Sequence, residues 1–84
     1  MQESSDLKEN PTILVKLFAT LREGRGKTID FPFKENLTPG EIITALAIPP
    51  DQVSILLVNG RDAGYDRVLL PTDYLSIFPP VGGG

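Results

Sequence analysis

Cysteine and histidine are both absent from this 84-residue chain. Without cysteine there is no disulfide, no cluster held by thiolates, no cysteine nucleophile and no dithiol redox site. Without histidine the chain lacks the commonest general base and the commonest metal ligand. No serine, histidine and carboxylate triad can be assembled. The aspartates and glutamates show no spacing that demands a metal, and no metal site is expected. Excess positive charge is missing too. The net charge is −3. Glu3, Asp6 and Glu9 against Lys8 give −2 in the first ten residues, which leaves −1 for the rest. A nucleic-acid binder carries a basic footprint, and this chain has none. Long apolar runs are also lacking. The polar N-terminus predicts neither a signal peptide nor a membrane span, so a cytoplasmic location is expected.

What is present reads as one small domain, near the lower size limit for an independent core. Residues 1–11 are polar and charged and are expected to be a disordered tail. Ile13–Thr20 alternates as a strand, with Ile13, Val15, Leu17 and Ala19 facing a core. Phe18 then lies on the outer face beside Lys16. Gly24-Arg25-Gly26 is read as a hairpin turn, because no helix frames it as a phosphate loop. Lys27–Phe33 is a second strand, with Ile29, Phe31 and Phe33 on one face. Pro32 cannot donate to a ladder, which predicts a sheet edge.

A helix follows. Thr38 is the expected N-cap, Pro39 the first helical residue, and Glu41 completes a capping box. Leu37 and Ile42 form a candidate hydrophobic staple. Ile42, Ala45 and Leu46 are the expected buried stripe, and Pro49-Pro50 the stop. Val53–Val58 is a third strand, and Asn59-Gly60 a type I′ hairpin signal. Arg61–Leu70 returns irregularly, Leu70–Asp73 turns, and Leu75–Phe78 is a last strand. There Leu75 and Ile77 should face the core and Ser76 and Phe78 the outside. This order predicts an α+β domain, a mixed sheet of four to five strands with one helix packed across one face. Arg22, Arg25, Lys27, Arg61 and Arg67 are read as a solvated charged rim.

The chain ends Phe78-Pro-Pro-Val-Gly-Gly-Gly84. Glycine reaches backbone conformations closed to other residues and has no side chain to jam a channel. Residues 82–84 are therefore expected to be a flexible arm on a domain spanning 12–81. The reactive group is then the free carboxylate of Gly84, carried through Gly82 and Gly83 into a partner. Alternation places Phe18 and Phe78 on the face opposite the helix. Leu57 joins them from the third strand as part of an apolar docking patch. Pro79, Pro80 and Val81 form a stiff collar at the exit.

Val15-Lys-Leu-Phe-Ala-Thr-Leu-Arg-Glu23, Leu57-Val-Asn-Gly60 and Ile77-Phe-Pro-Pro-Val-Gly-Gly-Gly84 resemble blocks of one family. It is the β-grasp, ubiquitin-like sulfur carriers of the MoaD/ThiS type. In a β-grasp sheet the first and last strands are neighbours, so the resemblance implies that the Phe18 and Phe78 rings lie close together. The look is closest to the small subunit of molybdopterin synthase, then to the thiamine sulfur carrier. The likeness covers residues 13–84 and leaves the N-terminal tail out.

This resemblance implies a carrier that is not catalytic alone and binds no cofactor. A ubiquitin-activating-type enzyme (MoeB/ThiF-like) would use ATP to adenylate the terminal glycine, and a sulfur donor would convert the adenylate to a thiocarboxylate. In the molybdopterin branch the tail enters a large catalytic subunit (MoaE-like) and gives up its sulfur there. Carriers of this kind also feed thiamine, cysteine and other sulfur products. Two other classes begin from the same residues: a ubiquitin-like modifier joined to lysines, and a plain binding module with an inert tail. Family members commonly end in two glycines, and this chain has three. The acceptor is either Gly84 as written or Gly83 after trimming.

Overall fold

Thr12–Leu17 alternates apolar and mixed residues, and that alternation sets the centre of the molecule. Ile13, Val15 and Leu17 are fully buried on one side of the strand, while Leu14 and Lys16 are half-buried on the other. The computed structural model describes residues 11–81. The expected N-terminal tail, except Pro11, and the expected glycine arm at 82–84 lie outside the described residues.

The elements are β1 (Thr12–Leu17), β2 (Thr28–Pro32), α1 (Pro39–Ala45), β3 (Ile55–Val58), β4 (Arg61–Asp62) and β5 (Tyr74–Phe78). Short 3-10 turns occupy Ala19–Arg22 and Pro50–Gln52. The five strands form one mixed sheet in the order β2-β1-β5-β3-β4. β1 and β5 run parallel at its centre and the other pairs are antiparallel. The first and last strands are therefore neighbours, as expected. β2 lies at the edge, where its Pro32 leaves no inner ladder donor missing.

Helix α1 packs on the inner face. Ile42 and Ile43 join Ile13, Val15, Leu17, Leu56, Val58, Leu75 and Ile77 in one core. Ile29, Phe31 and Phe33 pack against it from β2. Three details differ from the sequence reading. The first strand stops at Leu17 instead of Thr20, because Ala19 turns left-handed (φ 54°) and opens a 3-10 turn that buries Leu21. The helical stripe is Ile42, Ile43 and Leu46, with Ala45 exposed. In a seven-residue helix, one step of rotation moves a residue off the buried face. The third strand begins at Ile55, two residues late, after Pro50–Gln52 coils as a 3-10 turn.

The helix start is as expected at Thr38, whose Oγ1 accepts from the Glu41 N–H at 3.3 Å. The Glu41 carboxylate pairs with Lys34 Nζ at 2.9 Å instead of completing the box. At the other end, Ala47 adopts φ 59°, two residues before Pro49, so the backbone has already left the helix. Arg25 holds that end. Its guanidinium donates to the carbonyls of Leu46 (3.3 Å), Ala47 (3.3 Å) and Leu21 (3.2 Å). The Leu46 and Ala47 carbonyls are acceptors of the kind a helix C-terminus leaves free, and the Leu21 bond ties that end to the 3-10 turn after β1. Arg25 is thus half-buried, not part of a solvated rim.

Candidate functional site

The outer face of the sheet is built by the alternate residues of the same strands. Parallel pairing of Leu17 with Ile77 brings the next residues, Phe18 and Phe78, to the same end. Phe18 follows β1 with extended angles (φ −125°, ψ 150°), so it keeps the strand's alternation and its ring stays outside. The two rings stack with centroids 4.1 Å apart and planes 9° from parallel. Both are only half-buried.

Leu57 sits on this face opposite Ser76, one pair along from Phe78. Ile55 is directly opposite Phe78 and is 46% exposed. Ile55 was not singled out from the sequence, although counting back two from Leu57 finds it. Ser76, expected outside, is on the outer face but only 6% exposed, because its small side chain lies between Lys16 and Leu57. Lys16 Nζ stands 4.7 Å over the Tyr74 ring.

Arg22 is also more than rim. Its Nε donates to the Leu17 carbonyl at 2.9 Å, and its guanidinium carbon is 5.5 Å from the Phe18 ring centroid. A cation over an aromatic face is attracted by the ring quadrupole. The patch therefore has a fixed aromatic centre, an aliphatic flank in Ile55 and Leu57, and cations at Lys16 and Arg22.

The terminal arm leaves from this patch. The Phe78 carbonyl accepts from the Ser54 N–H at 2.8 Å, the last ladder-like bond before Pro79. Pro79 and Pro80 have no N–H to extend the pairing, so the chain must leave the sheet there. Pro79 is half-buried, Pro80 exposed, and Val81 is 92% exposed. Gly82, Gly83 and Gly84 lie outside the described residues. The structure thus brings Phe18 and Phe78 into contact, sets Leu57 on the same face, and points Val81 into solvent.

Among the described residues no group of acidic side chains gathers to hold a metal ion, and no helix is long and apolar enough to cross a membrane. An open groove of about 500 Å³ beside α1 is lined by Ile43, Thr44, Ala47, Pro49 and Tyr65. It offers hydroxyls and apolar surface but no acid–base pair.

A protein-family model, the ThiS family, matches residues 15–84. No curated protein sequence matches the chain. Solved structures do. SAMP1 from Haloferax volcanii is 28% identical, with a TM-score of 0.71 over 87% of this chain and 99% of that one. A Pyrococcus furiosus protein described as molybdopterin converting factor subunit 1 is 23% identical, with a TM-score of 0.70 over 84% of this chain and 99% of that one. Urm1 from Trypanosoma brucei is 17% identical, with a TM-score of 0.67 over 90% of this chain and 98% of that one. The five-stranded mixed sheet with one helix is the β-grasp of ubiquitin-like proteins.

Proposed function

Because the chain belongs to the ThiS family, as a ThiS/MoaD-like sulfur carrier or modifier of ubiquitin fold, we propose that its working group is the C-terminal carboxylate. An adenylating enzyme of the ubiquitin-activating type (MoeB/ThiF-like) docks on Phe18, Leu57 and Phe78. It threads Pro79–Gly84 into its active site and spends ATP to make the acyl adenylate. A sulfur donor then displaces the nucleotide and leaves a thiocarboxylate. The sulfur goes next to the large subunit of a molybdopterin synthase (MoaE-like), with this chain as the small subunit. The reading assigns the protein to the cytoplasm and gives it no bound cofactor.

The stacked Phe18–Phe78 pair at the root of a glycine terminus carries this reading. Half-exposed aromatics cost solvation in the free protein and favour a partner that covers them. The arm also has the right reach: six residues beyond Phe78 extend at most about 20 Å. No side chain has to act chemically, which suits a chain without cysteine or histidine.

Intact mass spectrometry tests the proposal. The chain is incubated with the MoeB/ThiF-like enzyme of its own source, ATP and a sulfur donor. The expected product has one oxygen replaced by sulfur in the C-terminal peptide. An unchanged mass under conditions where a known carrier is loaded would reject it. Fragmentation of the loaded peptide also decides between Gly84 and Gly83 as the acceptor.

A second reading is favoured by the likeness to SAMP1, the small archaeal modifier protein 1 of Haloferax volcanii, in two solved structures. The adenylated carboxylate would then be passed to a lysine amine to form an isopeptide bond. Tagged protein expressed in its own cells would give high-mass adducts that survive reductant. Their absence, with thiocarboxylate present, leaves the carrier role.

A further inference from the structure

The Asn59-Gly60 turn is tied to the start of β5 by a closed set of hydrogen bonds. Asn59 Nδ2 donates to Asp73 Oδ1 at 2.8 Å, and Asn59 Oδ1 accepts from the Tyr74 N–H at 3.0 Å. The Asn59 N–H donates to the Tyr74 carbonyl at 2.9 Å. The other oxygen of Asp73 accepts from the Leu70 N–H at 2.8 Å. Asp73 is only 6% exposed, whereas Asn59 itself is exposed. A carboxamide is thus the side-chain donor to one oxygen of a nearly buried carboxylate.

The same asparagine precedes glycine in a turn with φ 55° at Asn59 and 82° at Gly60. Gly60 has no Cβ of its own to hinder the approach of its backbone nitrogen to the neighbouring side chain. We propose that Asn59 is a site of spontaneous deamidation and that its product breaks this clip. When the clip opens, the Gly60 nitrogen attacks Cγ of Asn59. Ammonia leaves with Nδ2 and the Gly60 proton, and a five-membered succinimide closes. Water then opens the ring at Cγ to give aspartate, or at the main-chain carbonyl to give isoaspartate. The only co-reactant is water and no electrons are transferred.

Either product puts an acceptor where Asp73 had a donor. Two carboxylates facing each other at hydrogen-bonding distance have no proton donor between them, and the donor that held Asp73 is lost. Isoaspartate adds a further backbone atom to a turn whose register depends on its two residues. The clip lies at the Tyr74 end of β5, and the terminal arm leaves from the Phe78 end. The modification therefore loosens the sheet at the end far from the arm, independently of any loading chemistry.

The chain carries its own controls. Asn10 precedes Pro11, which has no N–H to attack, and Asn36 precedes the buried Leu37. Full-length protein is held at mildly alkaline pH and physiological temperature, then mapped by peptide mass. Asn59 is expected to convert at least several-fold faster than Asn36, and Asp73→Ala should speed it further by releasing the amide. Equal rates at Asn59 and Asn36 would overturn the proposal. For the consequence, Asn59→Asp is expected to raise hydrogen exchange at the Tyr74 and Leu70 amides at least tenfold. The swap Asn59→Asp with Asp73→Asn restores every donor and acceptor and should bring exchange back. Unchanged exchange in Asn59→Asp, or no rescue by the swap, would show that the product does not break the clip.

Discussion

The two faces of one sheet divide the work of this small protein. On the inner face Ile13, Val15, Leu17, Leu75 and Ile77 are essentially inaccessible to solvent and lie under α1. On the outer face the intervening residues of the same strands, Leu14, Lys16, Tyr74 and Phe78, keep part of their surface in water. The difference comes from the period-two direction of strand side chains. One face is closed by a helix the chain supplies; among the described residues no element lies over the Phe18–Phe78 stack on the other. The contrast teaches that similar apolar residues, one position apart, are buried for stability on one side and, on the proposed function, left for recognition on the other.

Substitutions can break that division. Ile77→Ala, on the inner face, should cost about 2–5 kcal/mol in denaturant unfolding, the usual range for large-to-small changes in a packed core. Much of the total stability of a domain this small would be lost. Phe78→Ala, the next residue on the opposite face, should cost about 1 kcal/mol of stability, chiefly the aromatic pair. Its larger effect should fall on recognition. Loss of a central aromatic anchor of about 2 kcal/mol corresponds to roughly a 30-fold rise in the KM of the adenylating enzyme for this chain. A Phe78→Ala protein that unfolds as easily as Ile77→Ala would erase the distinction.

Smaller effects sharpen it. Arg25→Ala removes two hydrogen bonds to carbonyls at the end of α1 and one to the Leu21 carbonyl of the 3-10 turn after β1. It should lower stability by about 1–2 kcal/mol and leave loading unchanged, since Arg25 serves the helix side. Thr38→Ala removes the N-cap acceptor and should cost about 1 kcal/mol. Lys34→Met breaks a pair whose two side chains are 62% and 46% exposed, so its effect on the unfolding midpoint should be near zero.

Most of this division was legible in the sequence, because both faces follow from alternation. The edge position of β2 and the Thr38 cap were each marked by a local signal, while the neighbouring first and last strands followed from the family resemblance. The failures share a cause in short elements. A seven-residue helix carries too few turns for its pattern to choose between Ala45 and Ile43. The left-handed turns at Ala19 and Ala47 are made by alanine, which advertises no such conformation. Arg22 and Arg25 look like ordinary surface cations until the chain folds. Their roles depend on carbonyls five residues away for Arg22, and twenty-one and twenty-two away, just past the helix end, for Arg25. Ile55 was passed over although it is two residues before Leu57, and the pairing with Phe78 shows it beside the stack.

The most direct test joins the outer face to the terminal carboxylate. Loading of the Phe18→Ala/Phe78→Ala double variant is followed by intact mass, with MoeB/ThiF-like enzyme, ATP and sulfur donor at levels that saturate the unaltered chain. Amide spectra confirm that the sheet is retained. The account predicts a folded protein that gains little or no sulfur. A folded double variant loaded at the rate of the unaltered chain would contradict it.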